Sequence, residues 1–264
     1  MSRSSLSTTA LQQGDDLAVS RTLATLQKRE MRWRPGLAAP SHSEVFASSS
    51  EGSGAALALL LARDGLAALD RGPLAEGEDR RMVLWVQDRA AMQRSGRPYW
   101  HGLPGELRHR LIHVEARTPE DALFALEEGL RCRELAFVVG EIAGNPRALD
   151  FTASRRLSLT AEKHGVPLWL VRLDARPDLS SARMRWTVKS EVSPPGRWDA
   201  SAPGIPSWRA ELFRARRHAP GEWILSDDGG RLTATRSSAN EGRTATPHYG
   251  GLVRPAVGRS MAAL

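Results

Sequence analysis

Residues 44–62, EVFASSSEGSGAALALLLA, have the layout of a phosphate-binding loop: a strand-like segment, a Ser/Gly-rich turn and an Ala/Leu-rich helix. A working loop of this type carries Gly-Lys-Ser/Thr where the turn meets the helix. The lysine contacts the β and γ phosphates, and the hydroxyl group holds magnesium. Here Ala55 and Ala56 follow Gly54. Neither alanine can perform these roles, so the sequence argues against ATP hydrolysis.

No standard phosphate-binding loop lies elsewhere in the chain, since none of the three lysines, at positions 28, 163 and 189, follows a glycine. Backbone amides at a helix N-terminus could still attract an anion. A structural remnant is the favoured interpretation, and no cofactor is expected. The candidate nucleotide-loop residues, all expected to be inactive, are Glu51, Gly52, Ser53, Gly54, Ala55 and Ala56.

Two carboxylates, Asp88 and Glu141, fall at the carboxyl ends of predicted strands, where open α/β sheets place their ligands. Such a pair could act as a general acid and base. The sequence places no nucleophile, metal cluster or histidine beside them, and the seven histidines show no metal-binding spacing. We therefore expect solvated strand-end residues, and we assign neither catalytic nor metal-binding residues.

Arginine dominates the positive charge of the chain, which has a formal net charge of +7. A basic protein favours acidic partners, including nucleic acid, although an arginine bias can also reflect codon composition. Two arginine groups are candidate contacts with a partner or with DNA, and the alternative is a solvated surface. They are Arg155 and Arg156 in TASRRLSL, and Arg214, Arg216 and Arg217 in LFRARRHAPG.

Apolar segments of strand length alternate with segments of helical composition, which predicts an α/β fold with a parallel sheet and helices on both faces. The predicted strands are SEVFAS, RMVLWVQ, RLIHVEA, LAFVVGEIA and VPLWLVRLD. In one intervening helix, Thr118 is a predicted N-cap and Pro119 suits the first position; another helix ends at Gly165. Three later segments, ARMRWTVKSEV, SWRAELFRARR and GEWILSD, predict antiparallel strands added to one edge.

Composition divides the chain into three parts. Residues 1–41 predict an N-terminal helical arm and linker, 42–228 the main domain, and 229–264 a basic disordered tail. No segment approaches the roughly 18–20 apolar residues that span a bilayer, and no signal peptide is visible. The expected location is the cytoplasm.

Several motifs in order resemble the RecA core. SSSEGSGAAL is similar to the RecA nucleotide loop, with Glu51 and Gly54 retained. MVLWVQDRAAM places Asp88 near the position of the catalytic glutamate, and LAFVVGEIAG places Gly140 at the position of the metal-site aspartate. SWRAELFRARRHAPGEWIL is similar to a hairpin whose basic residues reach a neighbouring subunit's nucleotide. The resemblance implies a RecA-like core that lacks its catalytic groups.

A closer resemblance, over about residues 42–228, is to the ImuA family of RecA-like and SulA-like proteins. It is carried by SEVFA, ALFALEEGLRCRELAFVVGEI, LDFTASRRLSL, SWRAELFRAR and GEWIL. It implies a non-catalytic accessory protein of damage-induced (SOS) error-prone translesion DNA synthesis. The implied partner is an ImuB-type Y-family polymerase relative, and through it an error-prone replicative polymerase subunit; RecA is a further candidate. The alternatives are a SulA-like division inhibitor and a residual RecA-like DNA-dependent ATPase.

Overall fold

One large sheet organises residues 41–70, 79–195, 202–216 and 220–236, which are the residues that the computed structural model describes. Its strands are β1 (His42–Ala47), β2 (Met82–Asp88), β3 (Leu111–Ala116), β4 (Leu135–Ala143), β5 (Leu168–Leu173), β6 (Met184–Ser190), β7 (Ser207–Ala215), β8 (Gly221–Asp228) and β9 (Arg231–Arg236). The helices are α1 (Ser53–Asp70), α2 (Arg89–Ser95), α3 (Gly105–Arg108), α4 (Pro119–Arg131) and α5 (Phe151–His164), with a 3-10 helix at Trp100–Gly102.

The strand order is β3-β2-β4-β5-β1-β6-β7-β8-β9. The strands from β3 to β6 pair in parallel, and those from β6 to β9 pair in antiparallel fashion. This arrangement confirms the predicted α/β class, with a mostly parallel sheet and antiparallel strands late in the chain.

The pairing of β6 differs from the sequence prediction, which made all three late segments antiparallel. β6 pairs in parallel with β1 and in antiparallel fashion with β7. The chain returns from the end of β5 to the amino end of β1 through residues 174–183, where the Arg183 N–H donates to the His42 carbonyl at 2.8 Å. This crossover contains no helix, so the usual strand-helix-strand signal of a parallel pair is missing.

Helices cover both faces of the parallel part of the sheet. Apolar side chains of α1, including Leu57 and Leu61, pack with Trp169 and Trp186 on one face. On the other face, α4 and α5 bury Leu126 and other leucines against β2, β4 and β5. Beyond α5 that second face turns polar, and Lys189, Arg209 and Glu211 are exposed. The helical layer therefore ends as a step beside β6 and β7.

The predicted ends of two helices are confirmed. The Thr118 hydroxyl accepts the Asp121 N–H at 3.1 Å, with Pro119 at the start of α4. Gly165 ends α5 with φ of +73°, a conformation that glycine adopts without strain. These local signals set where the two helices begin and end.

The ordered domain continues past the predicted boundary at Asp228. Gly229 and Gly230, with φ of +60° and +91°, turn the chain into β9, and Leu232 is buried against the core. The predicted start of the tail at 229 is therefore too early. The rest of the predicted tail, 237–264, and the predicted arm up to residue 40 lie outside the described residues. No helix in the described ranges is long and apolar enough to cross a membrane.

Candidate functional site

The degenerate loop, residues 51–56, comprises the turn after β1 and the first turn of α1, as the sequence predicts. The first helical bond runs from the Ala56 N–H to the Gly52 carbonyl at 3.0 Å. A Cβ at Gly54 would lie 2.7 Å from Ala47 Cβ and 2.8 Å from Val171 Cγ1. Packing of α1 on the sheet therefore requires this glycine whether or not a nucleotide binds. Ala55 and Ala56 are partly buried at the same turn.

Internal partners hold the polar groups around this loop. The Glu51 carboxylate accepts the Ser190 N–H at 2.8 Å. Just before it, Ser49 donates to the Asp174 carboxylate through its N–H at 2.9 Å and its hydroxyl at 2.6 Å. The Ser49 hydroxyl bond is the main cause that lowers the pKa of Asp174. Arg94 pairs with the same carboxylate at 3.1 Å.

An ionised carboxylate therefore occupies the mouth of the loop at neutral pH. A phosphate group approaching the Ser49 amide would meet the negative charge of Asp174. The Ser53 hydroxyl is the exception to this internal pairing, since it is buried and has no hydrogen-bond partner among the described residues. The backbone of the loop is arranged as in an anion-binding site, but the Asp174 carboxylate of the same chain accepts the Ser49 hydrogen bonds that a bound anion would accept.

Packing also explains Gly140, which stands where the resemblance places a metal-binding aspartate. A Cβ at Gly140 would lie 2.9 Å from Leu126 Cδ2 and 3.0 Å from Leu170 Cδ1. The leucines of α4 and β5 fill the space that a carboxylate would need. A metal-binding side chain at this position would therefore have to displace buried leucines.

Asp88 and Glu141 are buried, so the expectation of solvated carboxylates is wrong. Asp88 is the N-cap of α2 and accepts the Ala91 N–H at 2.6 Å. Glu141 accepts the Trp85 indole N–H at 2.7 Å and the Ser95 hydroxyl at 3.2 Å. Burial is the largest cause that raises the pKa of each carboxyl group. Both groups have structural partners in this arrangement.

Sequence reasoning missed a histidine near these acids. His113 Nε2 lies 2.9 Å from Gln87 Oε1, and Gln87 contacts the Glu141 side chain. Parallel pairing of β3, β2 and β4 brings the three residues together, a relation that spacing along the chain does not reveal. No group of three or more His, Cys, Asp or Glu side chains in the described part of the chain could hold a metal ion.

The two predicted arginine groups meet at the step beside α5. Arg155 of α5 and Arg214 and Arg216 at the end of β7 line one groove of about 350 Å³. All three side chains are exposed, and no described residue forms an ion pair with them. We call this surface the arginine groove and define it by Phe151, Arg155, Leu159, Arg183, Arg214 and Arg216.

Of the other two predicted arginines, the structure describes Arg156 alone. Arg156 is exposed but does not line the groove, and it pairs with Glu127 of α4. Arg217 lies outside the described residues. Arg183, which the sequence did not single out, lines the groove and pairs with Glu162 of α5.

Hydrogen-bonded serines form the floor of the arginine groove; Ser154, Ser158 and Ser180 are buried and Ser181 is half-buried. The Ser181 hydroxyl donates to the Ser158 hydroxyl at 2.6 Å, and the Ser181 N–H donates to the Ser154 hydroxyl at 2.9 Å. Ser180 lies 2.9 Å from Ser154 and donates to Glu44 at 2.8 Å. These bonds fasten the crossover of residues 174–183 to α5, so the floor is held from below.

A buried ionic cluster lies under that floor. The Glu44 carboxylate of β1 accepts a hydrogen bond from Arg185 Nε at 2.7 Å, and Arg172 Nη1 lies 3.8 Å from the same carboxylate. Both guanidinium groups also stack near the Phe46 ring, at 5.6 Å for Arg172 and 5.1 Å for Arg185. The signal for this cluster was available in the sequence: single charged residues interrupt apolar strand segments in SEVFA and LWLVRL.

Comparison with known proteins identifies relatives of this chain. No protein-family model matches it. Two curated proteins from Caulobacter vibrioides, each called Protein ImuA, are 37% identical to it over 153 residues; one is from strain NA1000 / CB15N and the other from strain ATCC 19089 / CIP 103742 / CB 15. The match covers 54% of this chain and 59% of each relative, so it spans less than two thirds of their length. This identity supports membership of the chain in the ImuA family.

Proposed function

We propose that the chain is a non-catalytic accessory protein of damage-induced error-prone translesion DNA synthesis. It acts by binding an ImuB-type Y-family polymerase relative. The observation that carries this proposal is the 37% identity with Protein ImuA. The arginine groove supports it, because exposed cations without internal partners are suited to contacts with another molecule.

The state of the degenerate loop supports a role without ATP hydrolysis. Ala55 and Ala56 replace the lysine and hydroxyl that a working loop needs. The Asp174 carboxylate binds Ser49 beside the loop, and leucines fill the space around Gly140. Purified protein should therefore hydrolyse ATP no faster than a mock preparation. Hydrolysis that follows the protein peak and is lost in Asp88→Ala would contradict the non-catalytic role.

The wider complex is part of the same proposal. An error-prone replicative polymerase subunit joins through the polymerase relative, and RecA and DNA are further candidate partners. A basic chain with a formal net charge of +7 is compatible with either an acidic protein surface or nucleic acid.

Affinity purification tests the proposal. The full chain, tagged, is recovered from cells treated with a DNA-damaging agent, and mass spectrometry identifies the bound proteins. The expected result is enrichment of a Y-family polymerase relative. The tubulin-like division protein in its place would favour the SulA-like alternative, and recovery of neither protein would contradict the proposal.

A matched variant gives this experiment an internal control. Gly52 precedes α1, and a Cβ there would meet nothing within 4 Å. Gly52→Asp adds a favourable N-cap and a negative charge that would repel phosphate. We expect this variant to recover the same partner, since the proposed role needs no nucleotide.

A further inference from the structure

We propose that the arginine groove binds a short acidic segment of a partner protein, one that also carries bulky apolar side chains. This inference deepens the proposed function by assigning partner recognition to a surface and to a chemistry. It concerns the groove between α5 and the ends of β6 and β7.

Charge gives the first argument. Arg155, Arg214 and Arg216 are exposed and have no ion pair with a described residue, although they come from two distant parts of the chain. Like charges gathered at one groove repel one another. Carboxylates on a bound segment would relieve this repulsion and accept hydrogen bonds from the guanidinium groups.

Exposed apolar side chains give the second argument. Phe151 is 46% exposed and Leu159 is 51% exposed. They lie on α5 at positions i and i+8, with Arg155 at i+4 between them, so the three share one helical face along the groove. Apolar groups flanking a cation suit a segment that alternates acidic and bulky apolar residues.

The serine floor gives the third argument. Ser181 hydrogen-bonds to both Ser154 and Ser158 beneath the groove, and Ser180 links Ser154 to buried Glu44. A surface that is already held in one shape loses little conformational entropy when a ligand binds. The floor of the groove is therefore fixed before a segment binds.

The surroundings favour a protein segment over DNA. Glu162 pairs with Arg183 at the groove itself, and Glu127 pairs with Arg156 beside it. Such acids interrupt the continuous positive track that a phosphate backbone needs. Among the described residues that line the groove, Phe151 is the one aromatic side chain, so successive bases would find no stacking platform.

Fluorescence anisotropy tests this inference with the full chain. The probe is a fluorescein-labelled peptide of about 16 residues, with Leu and Phe at helical spacing and Asp and Glu at the remaining positions. A second peptide replaces the acids by lysine, and a labelled dT oligonucleotide tests DNA. We expect the acidic peptide to bind, the basic peptide not to bind, and the oligonucleotide to bind more weakly than the acidic peptide.

Two pairs of variants locate the binding surface. Arg155→Glu/Arg214→Glu should weaken binding of the acidic peptide about tenfold or more. Arg117→Glu/Arg133→Glu makes the same charge change at two exposed arginines elsewhere and should leave binding within about twofold. Phe151→Ser should weaken binding, whereas Phe124→Ser, at an exposed phenylalanine of α4, should not. Circular dichroism melting confirms that each variant is folded.

The results separate this inference from the proposed function. Loss of peptide binding in the groove variants alone supports the inference. Equal loss in both arginine pairs, no binding of the acidic peptide, or tighter binding of the oligonucleotide overturns it. If the polymerase relative is still recovered from damaged cells when the peptide test fails, the proposed function stands and another surface binds the partner. Failure of both experiments overturns both proposals.

Discussion

The degenerate loop and the arginine groove differ in whether their charged side chains have partners within the chain. At the loop, Glu51 and the neighbouring Asp174 are occupied by backbone and side-chain donors of the same chain. At the groove, Arg155 and Arg214 have no such partners among the described residues. The loop is closed by internal contacts, and the groove leaves its charges available for another molecule.

This difference separates contacts that the packing of the fold requires from charges that it leaves unpaired. Gly54 remains at the loop because α1 packs closely on β1 and β5 there. The same requirement for packing excludes a carboxylate at Gly140. Steric fit can preserve the shape of a site after its reactive groups are gone, whereas unpaired surface charge has no structural reason to gather in one place. The four predictions below test the two halves of this comparison.

The largest effect should come from removing the charge beneath the groove floor. Glu44→Gln removes the buried carboxylate that pairs with Arg172 and Arg185 and leaves them only the half-exposed Asp178, at 3.5 Å and 3.6 Å, so we expect a loss of about 4 kcal/mol in the free energy of unfolding. Glu106→Gln, which breaks an exposed ion pair with Arg63, is the control and should cost at most about 1 kcal/mol. Urea denaturation measures both. Equal losses of unfolding free energy in the two variants would show that the buried ionic cluster does not stabilise the groove floor.

A carboxylate placed at position 140, where the RecA resemblance expects one, should damage the fold. Gly140→Asp forces its side chain into Leu126 and Leu170, so we expect a loss of about 3 kcal/mol in the free energy of unfolding. Gly105→Asp, where a Cβ would meet nothing within 4 Å, is the matched control and should change stability little. A fully stable Gly140→Asp variant that binds Mg²⁺ in calorimetry would contradict the steric argument and favour an enzymatic role for the loop.

Acid should weaken the support of the groove floor. His42 is buried beside Glu44, Arg172 and Arg185, with Nδ1 3.0 Å from the Ser158 hydroxyl, and burial is the largest cause that lowers its pKa to about 4. The unfolded chain binds a proton near pH 6.5 and the folded chain does not. Stability is therefore present above about pH 6.5 and is lost as the pH falls towards 4, by up to about 3 kcal/mol.

Comparison with a substituted protein isolates this histidine from other titrating groups. Urea unfolding at pH 7 and pH 5 should show a smaller drop for His42→Asn than for the unsubstituted protein, because asparagine has no proton to gain. Glu141, whose pKa is raised, contributes the opposite trend to both proteins and cancels in the difference. The same pH dependence in both proteins would rule out His42 as the cause.

The smallest effect should come from the loop itself. Asp174→Asn removes the negative charge that accepts the Ser49 hydrogen bonds, and asparagine can adopt the φ of +52° at this position. We therefore expect a loss of about 1 kcal/mol in the free energy of unfolding. Ser49→Ala removes the donor of the same side-chain hydrogen bond. Thermal melting of the two single variants and the double variant should show non-additive losses. Strictly additive losses would mean that the two residues do not depend on each other.

Much of the sheet could be predicted from local sequence. The apolar segments of β2, β4 and β5 are of strand length, and the Thr118 cap and Gly165 mark where helices begin and end. The crossover of residues 174–183 could not be predicted, because it contains no helix to signal a parallel strand pair. Hydrogen bonds of its serines to α5 fix its position instead. The hairpin at Gly229 and Gly230 carried a visible turn signal that its polar surroundings obscured.

The candidate site was predictable only in part. The residues of the loop and most of the groove arginines stand out by type, and strand order decides that Arg155 and Arg214 meet. The partners of Asp88, Glu141 and Asp174 come from neighbouring strands and loops. Burial of these acids depends on tertiary packing, which no spacing along one segment encodes.

The most direct test of the account compares the two regions inside the cell. Damage-induced mutation frequency is measured in strains whose own copy carries Arg155→Glu/Arg214→Glu, Gly52→Asp or Arg117→Glu/Arg133→Glu, beside the unsubstituted and deletion strains. Western blots confirm equal protein levels. The account predicts that the groove variant falls to the level of the deletion strain, while the loop and control variants keep the unsubstituted frequency. A loop variant that abolishes mutagenesis, together with a groove variant that does not, would contradict it.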